Sequence, residues 1–221
     1  MSDDLSTSSV SPVAEAVSET HGHVHEHRDD VGAKMGMWLF LFTEILLFGG
    51  LFVLYSVTLQ RYPHEFHLAS KELDTVVGTI NTMVLITSSL FAALSVIALQ
   101  RGEAKRCKLF ILLTIVLALV FLVNKYFEWG VKFHHGLYPG AAVLAARPVG
   151  EQAFFGLYFT MTGLHGLHVI IGMALLGWVY RQVHTGRLNK DRNVTLENAG
   201  LYWHLVDLIW IYLFPLYYLI T

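Results

Sequence analysis

Five long apolar runs dominate the chain, and short polar stretches separate them. The runs cover residues 35–59, 76–99, 109–131, 153–180 and 199–220. Each is long enough to cross a hydrocarbon core roughly 30 Å thick, which takes about 20 helical residues. None alternates apolar and polar positions as a barrel strand does, so the backbone groups must be paired within helices. The pattern predicts an all-α fold, an integral membrane bundle of five transmembrane helices.

The composition agrees with a membrane protein. Of the 221 residues, 54% are hydrophobic and only 14% are charged, which is unusual for a globule in water. The formal net charge of −2 comes without a basic face or an RNA-binding motif, so we expect no nucleic-acid partner. The single Cys107 is predicted to lie in a short loop, and it can form no disulfide within the chain.

The first 33 residues differ from the rest of the chain. They are polar and contain no basic stretch followed by an apolar core and a cleavage site, so we predict no cleaved signal peptide. Residues 1–33 are predicted to form a disordered, His-rich cytoplasmic tail, and residues 34–221 the transmembrane domain. Four histidines at alternate positions could hold Cu²⁺ or Zn²⁺ loosely if the tail is extended: His21, His23, His25 and His27. A solvated tail without metal is the alternative.

Lys and Arg residues are concentrated in two of the four connections between the runs. The first connection has only Arg61 and Lys71, and the third only Lys132 and Arg147. Basic connections stay in the cytoplasm, so an odd number of spans predicts a cytoplasmic N-terminus and a C-terminus outside. The basic residues of the second and fourth connections are Arg101, Lys105, Arg106 and Lys108, and Arg181, Arg187, Lys190 and Arg192.

Ionisable residues interrupt the apolar runs at two depths in the predicted bilayer. With that orientation and a helical rise of about 1.5 Å per residue, four of them can share one layer in the inner half of the bilayer. These four are Glu44, His168, His204 and Asp207. Lys125 and Glu128 lie near the outer end of the third run, three residues apart on one helical face, where they can pair with each other.

Glu44 is the most expensive of these residues, because a charge at membrane depth costs free energy and by default marks a functional site. One hypothesis is that Glu44 handles a proton or faces a lipid headgroup. The alternative is that it only fixes packing, either protonated or hydrogen-bonded to a Thr, Trp or His of a neighbouring helix. Replacing Glu44 by Gln separates the two.

The intramembrane histidines permit several interpretations. His165 and His168 share a helical face and could ligate metal or haem, although packing histidines are commoner. Asp207 shares a face with His204 and could orient its imidazole. A b-type cytochrome would use His168 and His204 as axial ligands. A transporter would be expected to have broken helices or an internal repeat, and neither stands out. The residues favour a small bundle that assists a larger machine.

Specific motifs occur in all five apolar runs. The fourth run contains "TGLHGLHVIIG" at residues 162–172, and the fifth contains "AGLYWHLVDLIWIYLFPLYY". The first run contains "MWLFLFTEILLFGGLF", the second "INTMVLITSS" and the third "KYFEWG". These motifs resemble subunit III of the haem-copper oxidases, the cytochrome c oxidase subunit III family, in which the segment similar to the first run has a buried glutamate. The likeness covers about residues 35–221.

The resemblance implies a subunit without redox metals that packs against catalytic subunit I, with subunit II also in the complex. Haem and copper would belong to those partner subunits, and phospholipid would bind in a cleft of this one. The family's subunit is thought to support proton uptake and to protect the enzyme during turnover. By the likeness, Glu44 is the carbodiimide-sensitive membrane carboxylate and His168 lies near a lipid headgroup. Arg181 and His184 resemble the basic partners of a lipid phosphate.

The resemblance also leaves several points open. Larger family members have seven helices, and the first two form one wall of the lipid cleft; the likeness here begins at the third. Either the cleft is open or another subunit closes it. Five-helix members occur in bacterial oxidases and beside nitric oxide reductases. The expected location is therefore the bacterial plasma membrane, the donor is cytochrome c or quinol, and the acceptor is O₂ or NO.

Overall fold

The structure, a computed structural model, describes residues 30–190 and 192–220. This part of the chain is helical and contains no strand. Its seven helices are α1 (Asp30–Arg61), α2 (Pro63–Ser70), α3 (Thr75–Gln100), α4 (Ala104–His134), α5 (Ala142–Ala145), α6 (Val149–His184) and α7 (Val194–Tyr218). Five of them, α1, α3, α4, α6 and α7, are long and apolar enough to cross a membrane. The predicted all-α bundle of five transmembrane helices is confirmed.

The helices are longer than the apolar runs that predicted them. α1 begins at Asp30, so residues 30–33, which the sequence assigned to the tail, are helical. The tail histidines His21, His23, His25 and His27 lie outside the described residues. Cys107 does not lie in a loop, as predicted, but is fully buried in the first turn of α4. The error arises because polar and basic residues at the start of α4 look like a connection in the sequence.

Short turns connect the spanning helices. Asp74 caps α3, since its Oδ1 accepts hydrogen bonds from the backbone N–H of Val76 at 2.9 Å and of Val77 at 3.2 Å. Gly102 allows the tight reversal from α3 to α4 because its φ of 78° is strained for residues with a side chain. Successive spanning helices therefore run in opposite directions. The connection of residues 62–74 contains α2, and the connection of residues 135–148 contains α5. Both connections lie at the same end of the bundle.

α7 is the central helix of the bundle, and α1 is its most peripheral one. α7 packs against α1, α3 and α6, and α3 packs along α4. Trp203 and Trp210 of α7 are fully buried, so they pack inside the bundle and do not form an interface belt. By contrast, much of α1 is exposed, including the apolar side chains of Trp38, Phe42 and Leu46. These α1 side chains face lipid or a partner, whereas Phe48 and Tyr55 of α1 are buried and pack against the other helices.

Close packing between α6 and α7 depends on Gly172. A Cβ added there would lie 2.8 Å from both Cε3 and Cζ3 of the buried Trp203 ring, too close for an undisturbed contact. We therefore expect Gly172→Ala to lower the free energy of unfolding by about 1–3 kcal/mol through overpacking. The change is measured as a shift of the unfolding curve in mixed detergent micelles.

Gly177, also on α6, supplies the matched control. A Cβ added at Gly177 meets nothing within 4 Å. Because Ala is a better helix former than Gly by about 1 kcal/mol, Gly177→Ala should leave stability unchanged or raise it. Equal unfolding curves for the two variants would contradict the packing role of Gly172.

Candidate functional site

Glu44 and His168 form a hydrogen-bonded pair between α1 and α6. Glu44 Oε2 lies 2.8 Å from His168 Nε2, and both side chains are largely buried near the middle of their helices. His168 is held by neighbours from two helices. Phe48 of α1 contacts it edge-on with ring centroids 5.4 Å apart, and the Tyr202 hydroxyl of α7 donates a hydrogen bond to the His168 carbonyl. The pair therefore has a fixed geometry at membrane depth.

The contacts of His168 limit where the hydrogen atom of this pair can lie. Its Nδ1 lies 2.7 Å from the carbonyl oxygen of Leu164, which can only accept, so Nδ1 carries a hydrogen. Nε2 then either accepts a hydrogen bond from a protonated Glu44 or donates one to an ionised Glu44. In both arrangements a single proton lies between the two side chains, and moving it from Glu44 to His168 converts a neutral pair into a carboxylate–imidazolium ion pair. This transfer needs no rearrangement of the helices, and the proton-handling role of Glu44 stays a prediction.

The other residues of the predicted layer are held separately. His204 Nδ1 lies 2.6 Å from the Ser89 hydroxyl of α3, and not against Asp207. Both carboxyl oxygens of Asp207 are buried without a hydrogen-bond partner. The direct contact between Asp207 and the His204 imidazole that a shared face allowed is therefore not present. The spacing placed both residues on one face of α7, but that face meets α3, and Ser89 reaches His204 first.

Lys125 and Glu128 form a buried ion pair, with Lys125 Nζ 3.1 Å from Glu128 Oε2. Two tyrosines from other helices complete the cluster. Tyr158 of α6 donates a hydrogen bond of 2.6 Å to Glu128 Oε1, and Tyr218 of α7 donates to the same oxygen. Lys125 Nζ also lies within 3.1 Å of the Tyr158 hydroxyl and 2.9 Å of the Tyr218 hydroxyl, and 5.2 Å from the centroid of the Trp210 ring. The pairing that the i,i+3 spacing allowed is present, within a larger network.

The basic residues at the end of α6 are arranged differently from the expectation. Arg181 lines a cavity of about 310 Å³ together with Trp178, Gln182, Thr185 and Arg187. His184 does not line this cavity; its ring stacks on Tyr180, with 6.4 Å between centroids and 8° between planes. Arg181 thus lines the cavity together with Arg187, and not with His184. His184 stacks back on Tyr180, one turn earlier on α6, whereas the turn after α6 brings Arg187 to the cavity.

The histidine contacts do not favour axial ligation of haem by His168 and His204. Both ring nitrogens of His168 are engaged, one by Leu164 and the other by Glu44. His165 has two unpartnered nitrogens, but its fully buried ring packs against Phe121 and Trp210. Among residues 30–190 and 192–220, no group of three or more His, Cys, Asp or Glu side chains could hold a metal ion.

Sequence reasoning missed four residues that the structure places in these sites. Tyr158 and Tyr218 lie 30 and 90 residues from Glu128, so no local spacing relates them. Ser89 looks like an ordinary small residue of an apolar helix. Arg187 belongs to a connection whose charge was counted only for orientation. The only signal for these four residues in the sequence is that each has a polar side chain and lies inside or next to an apolar run.

Together, these features define a multi-pass membrane protein whose helices enclose two ionisable pairs. The family model described as cytochrome c oxidase subunit III matches residues 11–221. The chain belongs to this family, the accessory subunit of haem-copper oxidases, an oxidoreductase complex, and the subunit itself has no redox centre. The resemblance noted in the sequence is thereby confirmed.

Curated relatives agree with this family. The chain is 33% identical to a cytochrome c oxidase subunit 3 of Thermostichus vulcanus, over 90% of this chain and 92% of the relative. It is 28% identical to a cytochrome bo(3) ubiquinol oxidase subunit 3 of Pseudomonas aeruginosa, over 90% of both chains. It is also 28% identical to a heme-copper oxidase subunit I+III of Aeropyrum pernix, over 85% of this chain but 22% of that longer protein.

Proposed function

We propose that this chain serves a proton-translocating terminal oxidase by holding a proton site, Glu44–His168, that supports proton uptake into catalytic subunit I. The observation that carries the proposal is the 2.8 Å contact between the two side chains, combined with the fixed hydrogen on His168 Nδ1. Ionisable groups at membrane depth generally face protein or water and take part in proton relays. A pair that holds one proton without a rearrangement has the chemistry that such a relay needs.

The direct partners in this proposal are subunits I and II, which carry the haem and copper. The relative from Aeropyrum pernix, by its name, joins subunits I and III in one chain, and this supports a contact with subunit I. The exposed apolar surface of α1 offers a face for a partner subunit or for lipid, since little of this helix is buried within the chain.

A phospholipid headgroup is the proposed occupant of the cavity between Arg181 and Arg187. Two guanidinium groups at one end of a spanning helix can bind a phosphate through charge-assisted hydrogen bonds. Trp178 of the same cavity is an amphipathic residue of the kind found at membrane interfaces. His168, His204 and Asp207 remain proposed members of a polar layer deeper in the bundle.

The proposed location is a bacterial plasma membrane, with the N-terminus in the cytoplasm and the C-terminus outside. The basic connections of residues 101–103 and 185–193 and their flanking turns support this orientation. The proposed terminal acceptor is O₂, because the relatives cited are named as oxidase subunits. Assaying the purified complex with cytochrome c and with ubiquinol identifies the electron donor, and NO consumption without O₂ consumption would overturn the choice of acceptor.

Glu44→Gln tests the proton site. An amide can still donate a hydrogen bond to His168 Nε2, so the helices should stay packed, but the proton can no longer move between the residues. We expect the oxidase to assemble normally and to show slower proton uptake or a severalfold shorter turnover lifetime. Uptake is followed with a pH dye in proteoliposomes, and lifetime as the number of turnovers before inactivation.

Glu197→Gln is the matched control, because Glu197 forms a more exposed ion pair with Lys34, 2.8 Å long, between the same helix, α1, and α7. This variant should behave like the unchanged protein. If Glu44→Gln lost subunit I during purification, the packing interpretation would be correct instead. If it assembled and turned over normally, Glu44 would have no part in proton uptake.

A further inference from the structure

A cavity of about 400 Å³, lined by both polar and apolar side chains, opens at the end of the bundle where α3 begins and α4 ends. It extends along α4 from His135 to Asn124, a distance of roughly 16 Å at the helical rise. Its polar lining consists of Glu72, Asp74, Asn124, Glu128, Lys132 and His135. The cavity is separate from the Glu44–His168 pair, which none of its lining residues contacts.

The charged groups near the mouth of the cavity are held by other partners. The Glu72 carboxylate oxygen Oε1 lies 3.4 Å from a guanidinium nitrogen of Arg147. The backbone carbonyl oxygen of Glu72 accepts a hydrogen bond from the Lys132 ammonium. Asp74 is occupied as the cap of α3. These contacts fix the wall of the cavity. The carboxylate that lies deepest among its acidic residues is Glu128.

Glu128 forms part of the floor. It is 9% exposed, and behind it lie the ammonium of Lys125 and the hydroxyls of Tyr158 and Tyr218. On the far side, Lys125 borders a different groove, between α4 and α6, whose lining is almost entirely apolar. An apolar groove offers no groups that carry protons, so of these two openings the cavity beside Glu128 is the one through which water can reach its carboxylate.

The cavity continues past Glu128 to Asn124, four residues deeper on α4. Asn124 Nδ2 donates a hydrogen bond of 2.8 Å to Oδ1 of the fully buried Asn81 of α3, whose own Nδ2 has no partner. A cavity of this size has room for several water molecules. Water molecules there need hydrogen-bond partners, and the amide groups of Asn124 and Asn81 can supply them. Polar groups thus follow the cavity from its mouth to its inner end.

We propose that this cavity is a hydrated vestibule through which Glu128 exchanges protons with the aqueous phase on the side of residues 135–148. The groups around Glu128 are Lys125 and Lys132 of α4, Tyr158 of α6, Tyr218 of α7, and Glu72, Asp74 and His135 at the mouth. The two hydroxyls and the Lys125 ammonium stabilise the carboxylate, and water supplies the proton. The inference does not depend on the function proposed for Glu44.

Water access is tested by cysteine labelling in the intact complex. Asn124→Cys places a thiol in the cavity, whereas Val123→Cys places one at the same depth on the outside of α4. The only native cysteine, Cys107, is fully buried and should stay silent. A membrane-impermeant maleimide should label position 124 about tenfold faster than position 123, from one side of the membrane only. Equally slow labelling of both would overturn the vestibule.

Proton exchange at Glu128 is tested without mutation. A water-soluble carbodiimide with an amine such as glycinamide modifies carboxyl groups that are protonated and accessible. Glu151 is the internal control, because it is also 9% exposed and ion-paired, with Arg147 at 3.0 Å, but does not line the cavity. Peptide mass spectrometry should find modification of Glu128 that rises as the pH falls and reaches at least the rate of Glu151, although the Glu128 side chain is less exposed, at 5% against 12%. Modification of Glu128 that is absent or much slower than that of Glu151 would overturn the proposal and leave that for Glu44 untouched.

Discussion

Replacing Lys125 by Met should lower the free energy of unfolding of this chain by about 3–5 kcal/mol, because it removes one partner of a buried ion pair and leaves the other charge uncompensated. Glu128 would keep its hydrogen bonds from Tyr158 and Tyr218 but lose the ammonium group 3.1 Å away. Lys125 also lies over the rings of Tyr158, Trp210 and Tyr218, so its loss weakens contacts between α4, α6 and α7. The measurement is the unfolding curve of the purified chain in mixed micelles.

Another ion pair that involves α4 provides a matched control. Arg106 and Glu103 have the same i,i+3 spacing and a similar length, 2.8 Å, but both side chains are exposed. Arg106→Met should therefore change stability by less than about 1 kcal/mol. Adding Glu128→Gln to Lys125→Met should recover part of the loss, since the unpaired charge is then removed. If the double variant were less stable than Lys125→Met alone, an unpaired charge on Glu128 would not explain the loss of stability in Lys125→Met.

Trp210→Ala should be comparably destabilising, at about 3–5 kcal/mol, because it leaves a large cavity at the centre of the bundle. Trp210 is fully buried and touches three neighbouring helices. Its ring contacts Phe121 of α4 at 4.8 Å and His165 of α6 at 5.3 Å, and its Nε1 donates a hydrogen bond of 3.1 Å to Thr82 of α3. Since lipid tails are as apolar as the ring, the loss comes mainly from packing and from this hydrogen bond.

Trp178→Ala is the control for Trp210→Ala, because Trp178 lies on α6 and is 54% exposed. It should shift the unfolding curve much less. Trp210→Phe keeps most of the ring volume and should restore much of the stability. If the two alanine variants unfolded alike, the tryptophan at the centre would not organise the bundle.

The hydropathy of the chain predicted the five spans well because crossing a membrane requires length and apolar composition, which are local properties of a sequence. The same rule missed α2 (Pro63–Ser70), since that helix lies in a connection and its buried Phe66 and Ala69 pack on neighbours far along the chain. The pairing of Lys125 with Glu128 was also local, because three residues separate them on one helix. Cys107 was misplaced because the first turn of α4 is rich in basic residues.

Contacts between helices were harder to predict. Glu44 meets His168, 124 residues away, and the sequence offered a histidine only as one of several partners. The expected His204–Asp207 contact failed because a shared helical face does not determine which neighbour fills it, and Ser89 does so here. Arg187 took the place expected for His184 because a turn, and not helical spacing, positions it. Residue positions on a face follow from the sequence, whereas their partners follow from helix packing.

The peripheral position of α1 has a consequence for biosynthesis. α1 leaves the ribosome first, but the helices it packs against most, α6 and α7, are made last. At typical rates of synthesis, roughly 6–25 s separate the translation of Glu44 from that of His168. During this interval Glu44 lies in a nascent helix without its final partner, and a protonated carboxyl group is the form that a bilayer tolerates best. The docking of α6 would then deliver His168 to an acid that already carries the proton of the proposed Glu44–His168 site.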